Sequence, residues 1–166
     1  MTISLWRIAT DAREYEADDL SGKGAEKSGG RWNRPGLPAV YCASNISLAC
    51  LETVVHLKAG GLPLNRTLVR IEVPEALWAS RTQLKPHELA IGWDAVPESK
   101  ISLDIGDALL KGAQTAILEV PSAIVHEESV YVLNPRHPDA HQIRATKERR
   151  WTYDGRLKPG SKPASR

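Results

Sequence analysis

The chain has 166 residues, 42% of them hydrophobic and 25% charged, with a formal net charge of +2; this suits one domain with its own core and excludes a low-complexity or fibrous chain. Two cysteines, Cys42 and Cys50, without a CxxC or Cys/His cluster, point to free thiols and away from a disulfide framework or a zinc site. No apolar run reaches the roughly 18–20 residues of a membrane span, and nothing in Met1–Ile8 resembles a signal peptide, so the expected location is the cytoplasm.

In chain order, Ile3–Ile8 alternates apolar and polar residues and reads as a first strand, with Trp6 and Arg7 on opposite faces. Residues 18–36 hold five glycines and Pro35 and read as a long functional loop. Ala39–Ala43 reads as a short strand. Ser44 or Asn45 then caps a helix from about Ile46 to Ala59, ended by Gly60-Gly61. Thr67–Val73 is a β-branched strand closed by Pro74, and Leu84–Ile91 and Ile105–Lys111 read as short helices. Thr115–Val120 and Ser129–Leu133 are strands joined through His126-Glu127-Glu128, and Pro135 and Pro138 stop the pattern. The order predicts one α+β domain over residues 1–154 and a basic, flexible tail over 155–166.

The net charge hides an asymmetry. Residues 1–140 carry 14 Lys or Arg against 18 Asp or Glu, whereas residues 141–166 carry 8 against 2. The last stretch reads as a solvated tail, with a docking surface for an acidic partner or nucleic acid as the sharper alternative.

Glu52 lies inside an otherwise apolar helical stripe, with Leu48, Val55 and Ala59 at helical spacing. An ionised side chain there is costly unless paired or used. One reading is a surface glutamate pairing with His56 a turn later; the other is a carboxylate fixed where positive charge develops. Arg31 follows Gly29-Gly30, where the backbone can approach a ligand closely, and a guanidinium grips phosphate bidentately; a surface salt bridge is the plainer alternative. Tyr41, on the strand face of Ala43, is either a core tyrosine or a platform for a flat ring. A cation, an aromatic face and a carboxylate in one cleft suit phosphates, a flat ring and a positive centre, which NAD+ combines. Ser122 follows Pro121 without a Gly-x-Ser-x-Gly elbow, which argues against a serine hydrolase. Asn134 reads as a turn residue. The histidines show no metal spacing and no Walker loop is present, so no metal is assigned.

Taken together, Gly22-Lys23-Gly24-Ala25, Gly29-Gly30-Arg31-Trp32-Asn33, Tyr41-Cys42-Ala43-Ser44, Ser47-Leu48-Ala49-Cys50-Leu51-Glu52, Val120-Pro121-Ser122 and Leu133-Asn134-Pro135 resemble the RES domain, from Trp6-Arg7-Ile8 to about Pro138. Glu127-Glu128-Ser129-Val130 lacks an asparagine expected there. The resemblance implies the toxin of a type II toxin–antitoxin pair with an ADP-ribosyltransferase-like fold and NAD+ as substrate. Its partner would be an Xre-type helix-turn-helix antitoxin, so that DNA is met only through the antitoxin, with a homodimer possible within the complex. Carried over, Arg31 would hold the phosphate or ribose, Tyr41 would stack on nicotinamide and Glu52 would stabilise an oxocarbenium. Ser122 and Asn134 would line the site, with Arg7 a weaker phosphate contact. The leading expectation takes water as acceptor and makes the protein an NAD+-degrading toxin that arrests growth; a protein ADP-ribosyltransferase is the alternative with the same site, and a non-catalytic module acting with a DNA-binding partner through the basic tail is the alternative from another class. A nuclease is disfavoured, because the basic residues lie mostly away from Arg31 and Glu52.

Overall fold

The computed structural model describes residues 1–57 and 60–157. Seven strands form one mixed sheet: β1 (Thr2–Thr10), β2 (Val40–Ala43), β3 (Arg66–Pro74), β4 (Thr82–Gln83), β5 (Ile117–Pro121), β6 (Ser129–Leu133) and β7 (Arg144–Trp151). Their order across the sheet is β4-β5-β6-β2-β1-β3-β7. Every neighbouring pair is antiparallel except β4 with β5. Among the described residues four α-helices accompany the sheet: α1 (Lys23–Ser28), α2 (Ile46–Val54), α3 (Glu75–Ala79) and α4 (Lys100–Gly112). The α+β class with a mixed sheet is the one the sequence predicts.

Strand alternation gives the sheet two buried faces. Ile8, Ala43, Leu68, Leu118, Val120, Val130 and Val132 point to the first, where they pack with Leu48 and Ala49 of α2, Leu110 of α4 and the two indoles Trp32 and Trp93. Leu5, Ala9, Val40, Cys42, Val69, Ile71, Val73, Ile117, Tyr131 and Leu133 point to the second, where Leu77 and Trp78 of α3 and Ala17, Leu20 and Ile143 meet them. β2 touches β1 through the single register pair Trp6 with Ala43, whereas β1 and β3 pair along their whole length. β1 and β2 are therefore joined at the Ala43 end, beside the N-terminus of α2, and separate toward Val40.

Local signals explain several boundaries. Asn45 caps α2, its Oδ1 accepting from Leu48 N at 2.8 Å; of the two predicted caps, it is Asn45 that acts. The helix ends at Val54, and Ala59, its predicted end, lies outside the described residues. Gly60 and Gly61 both take positive φ, which only glycine adopts without strain. α4 starts at Lys100, five residues before its predicted start, because Ser99 Oγ caps it. The predicted helix over 84–91 is replaced by one 3-10 turn at Pro86–Glu88. Leu84 N donates to Glu119 O at 2.9 Å and so continues the pairing of β4 with β5. The long loop over 18–36 contains α1. The largest correction concerns residues 141–154: instead of starting a solvated tail, Arg144–Trp151 pairs with β3 as the sheet's outer strand. Of the predicted flexible tail, 158–166 lie outside the described residues.

Candidate active site

The Gly29-Gly30-Arg31-Trp32-Asn33 run folds into a tight turn. Gly29 ends α1 in the left-handed region at φ 72°, a position suited to glycine. Gly30 N donates to Asn33 O at 2.9 Å and Asn33 N to Gly30 O at 3.4 Å, so Arg31 and Trp32 form the tip. Tyr41 supports this tip from β2. Its hydroxyl accepts from Trp32 N at 3.0 Å and donates to Asn33 Oδ1 at 2.7 Å. A Cβ at residue 30 would stand 2.7 Å from that hydroxyl and 2.9 Å from the ring, so only glycine fits. Asn33 is fully buried and donates through Nδ2 to Ala25 O and Leu37 O, each at 2.9 Å. Burial pushes the Tyr41 phenol above its ordinary range, keeping it a neutral donor and acceptor.

Among the described residues Arg31 makes no salt bridge. Its Nη1 donates to Trp93 O at 3.2 Å and Ala95 O at 2.8 Å, fastening a strap of residues 92–97 over the first sheet face. Trp32 and Trp93 stack beneath, with ring centroids 6.3 Å apart and 27° between planes. On the far side of Trp93, His126 Nε2 lies 3.3 Å from Asp94 Oδ2 and its ring 5.1 Å from the Trp93 ring.

Glu52 pairs with Ser122, not with His56. Ser122 Oγ donates to Glu52 Oε1 at 2.6 Å and accepts from Ile124 N at 3.1 Å and Val125 N at 3.0 Å. The serine is 1% exposed, and these three bonds fix its rotamer. It holds one oxygen of a half-buried carboxylate, whose Oε2 has no hydrogen-bond partner among the described residues. Contacts thus run continuously from Arg31 through the strap to His126, along the turn to Ser122, and from there to Glu52. Among the described residues no cluster of His, Cys, Asp and Glu suits a metal ion.

Arg31, Tyr41, Glu52 and Ser122 therefore share the first face. Arg7 does not join them, because it sits between Leu5 and Ala9 on the second face. There, burial pulls its pKa below the ordinary value, and the nearby Asp19 carboxylate opposes that shift. Asn134 is also elsewhere. It follows Leu133, which pairs with Val40 at the far end of β2, whereas Ser122 lies beyond the Val130 end. Its buried side chain donates to Leu110 O at 2.9 Å and accepts from Arg136 N at 3.1 Å, joining α4 to the sheet. Asn33, Trp93, Asp94 and His126 are the members of the constellation that sequence reasoning did not single out. Asn33 lies inside the Gly-Gly-Arg-Trp-Asn run, and the rest carry no local motif.

The model of the RES domain matches residues 4–154. A protein of Sphingobium sp. (strain YBL2) named "Prs ADP-ribosylating toxin" is 57% identical over 95% of this chain and 98% of its own length. Proteins named "Toxin Res" from Pseudomonas putida and Yersinia enterocolitica are 38% and 35% identical, over 92% and 93% of this chain and 98% and 99% of theirs. Matched over almost its whole length by the family model and by named toxins, the chain belongs to the RES domain family of toxins.

Proposed function

We propose that this protein is a toxin that uses NAD+ as an ADP-ribose donor, breaks the bond between nicotinamide and ribose, and passes the ADP-ribosyl group to a protein acceptor. The observation that carries the reading is the Ser122–Glu52 pair: a half-buried carboxylate with one oxygen fixed at 2.6 Å and the other without a hydrogen-bond partner among the described residues. As nicotinamide leaves with the bonding electron pair, positive charge develops on the ribose. A fixed anion in a poorly hydrated cleft stabilises that charge without reorganising. The second oxygen of Glu52 is placed to orient the attacking group and take its proton. Arg31 spends one nitrogen on the strap and has donors left for a phosphate or ribose oxygen; Tyr41, with its hydroxyl committed, offers ring surface to nicotinamide. Transfer ranks above simple hydrolysis because the relative at 57% identity is named for ADP-ribosylating Prs, which makes Prs the first acceptor to test.

The regulation belongs to the same reading. An Xre-type antitoxin covers the cleft near Arg31 and Glu52 and carries the DNA-binding domain, so the complex is inactive until the antitoxin is removed. No helix among the described residues is long and apolar enough to cross a membrane.

The test is labelled NAD+ with purified protein and purified Prs, wild type beside Glu52→Gln. Label on Prs, with nicotinamide release reduced by about 100-fold or more in the variant, is the expected outcome for a lost electrostatic contact. Full release without any acceptor establishes the hydrolase instead. Absence of both, with folded protein free of antitoxin, overturns the reading.

A further inference from the structure

The outer strand β7 is not used by the site. Among the described residues it pairs with β3 alone, while the opposite edge of the sheet is the two-residue β4. Six of its eight residues are exposed. A free edge carries unpaired backbone N–H and C=O groups and is a template for another strand.

We infer that the free edge of β7 docks an acidic, extended segment of a partner protein, which adds to the sheet as an eighth strand. This is independent of the catalytic reading. The cations of β7 lie on both faces of the sheet. Arg149 pairs in register with Leu68 and belongs to the first face, its guanidinium 4.8 Å from the Trp151 ring centre. Lys147 and Arg150 pair with Val69 and Thr67 and belong to the second. Glu148 is the extra residue of a bulge between them and is bound by Arg70. Lys147 is already held by Asp11 and Glu16. Arg66, Arg149 and Arg150 meet no carboxylate among the described residues; their guanidinium groups bond only to Asn65 Oδ1, Arg150 O and Leu64 O. A groove of ≈ 500 Å3 opens beside them, lined also by Asn65, Thr67, Lys147, Asp11 and Glu148, the two carboxylates being bound by Lys147 and Arg70.

This distribution selects the occupant. Side chains of an added strand alternate between faces, so acidic residues along one segment reach Arg149 on one side and Arg150 on the other while the backbone extends the ladder. A nucleic-acid duplex lies against one face, and on the second face Asp11 and Glu16 stand beside the lysine. A second copy of β7 would bring together two strands that each carry four cations against one carboxylate, a like-charge approach that an acidic segment avoids.

The experiment selects from a random twelve-residue peptide library with the full chain, then measures anisotropy of the enriched peptides and of a labelled DNA duplex. Acidic peptides are expected. Their affinity should fall at least about tenfold both in the Arg149→Glu/Arg150→Glu variant and on raising salt from about 0.05 to 0.5 M. Amide exchange of β7 should slow in the complex. Enrichment of neutral or basic sequences, tighter binding of the duplex, self-association in place of peptide binding, or indifference to charge reversal in a variant with unchanged circular dichroism would each overturn the inference.

Discussion

At Ser122 one hydroxyl serves three partners, and its hydrogen is spent on Glu52. Removing it in Ser122→Ala leaves two backbone N–H groups without their acceptor and frees the carboxylate to rotate. The expected stability loss is about 1–2 kcal/mol. Turnover should fall about 10- to 100-fold with little change in KM for NAD+, since a loosened carboxylate acts mainly in the transition state; steady-state nicotinamide release checks both. Tyr41→Phe separates support of the turn from stacking. The ring stays, but Trp32 N and Asn33 Oδ1 lose their partner, at an expected cost of about 1–3 kcal/mol in urea unfolding. A change in KM without a stability loss would instead make the hydroxyl a ligand group. At this scale the site was partly legible: the run 29–33, Tyr41 and Glu52 stand close in sequence, and a carboxylate in an apolar stripe is conspicuous. Trp93 and Ala95 were not legible, because Arg31 reaches them through backbone carbonyls 62 and 64 residues away, which no side-chain pattern encodes.

Among the elements, α4 is what holds the arginine turn against the sheet. Gly106 faces Trp32 so closely that a Cβ there would stand 1.8 Å from Trp32 O and 2.5 Å from Trp32 C. These are backbone atoms of a turn already bonded on both sides, and Arg34 anchors its exit to Asp107, with N to Oδ1 at 3.0 Å and Nη1 to Oδ2 at 2.6 Å. The helix must therefore move away. Gly106→Ala is expected to destabilise by about 3 kcal/mol or more, at the upper end of overpacking, despite alanine's better helix propensity; denaturant unfolding measures it, and a neutral or stabilising result would show that α4 is free to shift. The strands β1, β2, β3, β5 and β6 were legible because each buries at least one face and so alternates or runs apolar. β7 was not, for a physical reason: an edge strand with solvent along one side needs few apolar residues, and here only Ala145 and Trp151 pack inward among Arg144, Lys147, Glu148, Arg149 and Arg150. The same charges that concealed the strand keep its edge from pairing with itself.

For the molecule as a whole, buried ionisable groups on the second sheet face set the pH range of stability. Burial disfavours ionisation of Glu119, but hydrogen bonds from Arg81 at 2.6 Å, Ser129 at 2.8 Å and Gln83 at 2.9 Å outweigh it and hold the carboxyl below its usual range. Its stabilisation is therefore complete above the unfolded pKa of about 4.3 and is lost as pH falls through the folded value. On the alkaline side the sign is reversed. Burial pushes the thiol of Cys42 and the phenol of Tyr131 each up to about 12. The unfolded chain releases these protons from about pH 8.5 and 10, while the folded chain keeps them, so stability falls as pH rises past those values. A plateau between about pH 5 and 8, with a decline on either side, is expected in urea midpoints measured from pH 3 to 10.5. Glu119→Gln should flatten the acid limb and Cys42→Ala the first part of the alkaline limb. A wild-type midpoint unchanged up to pH 10.5 would mean that the second face opens to water, and so could not supply the rigid backing on which the Arg31 turn and the Ser122–Glu52 pair depend.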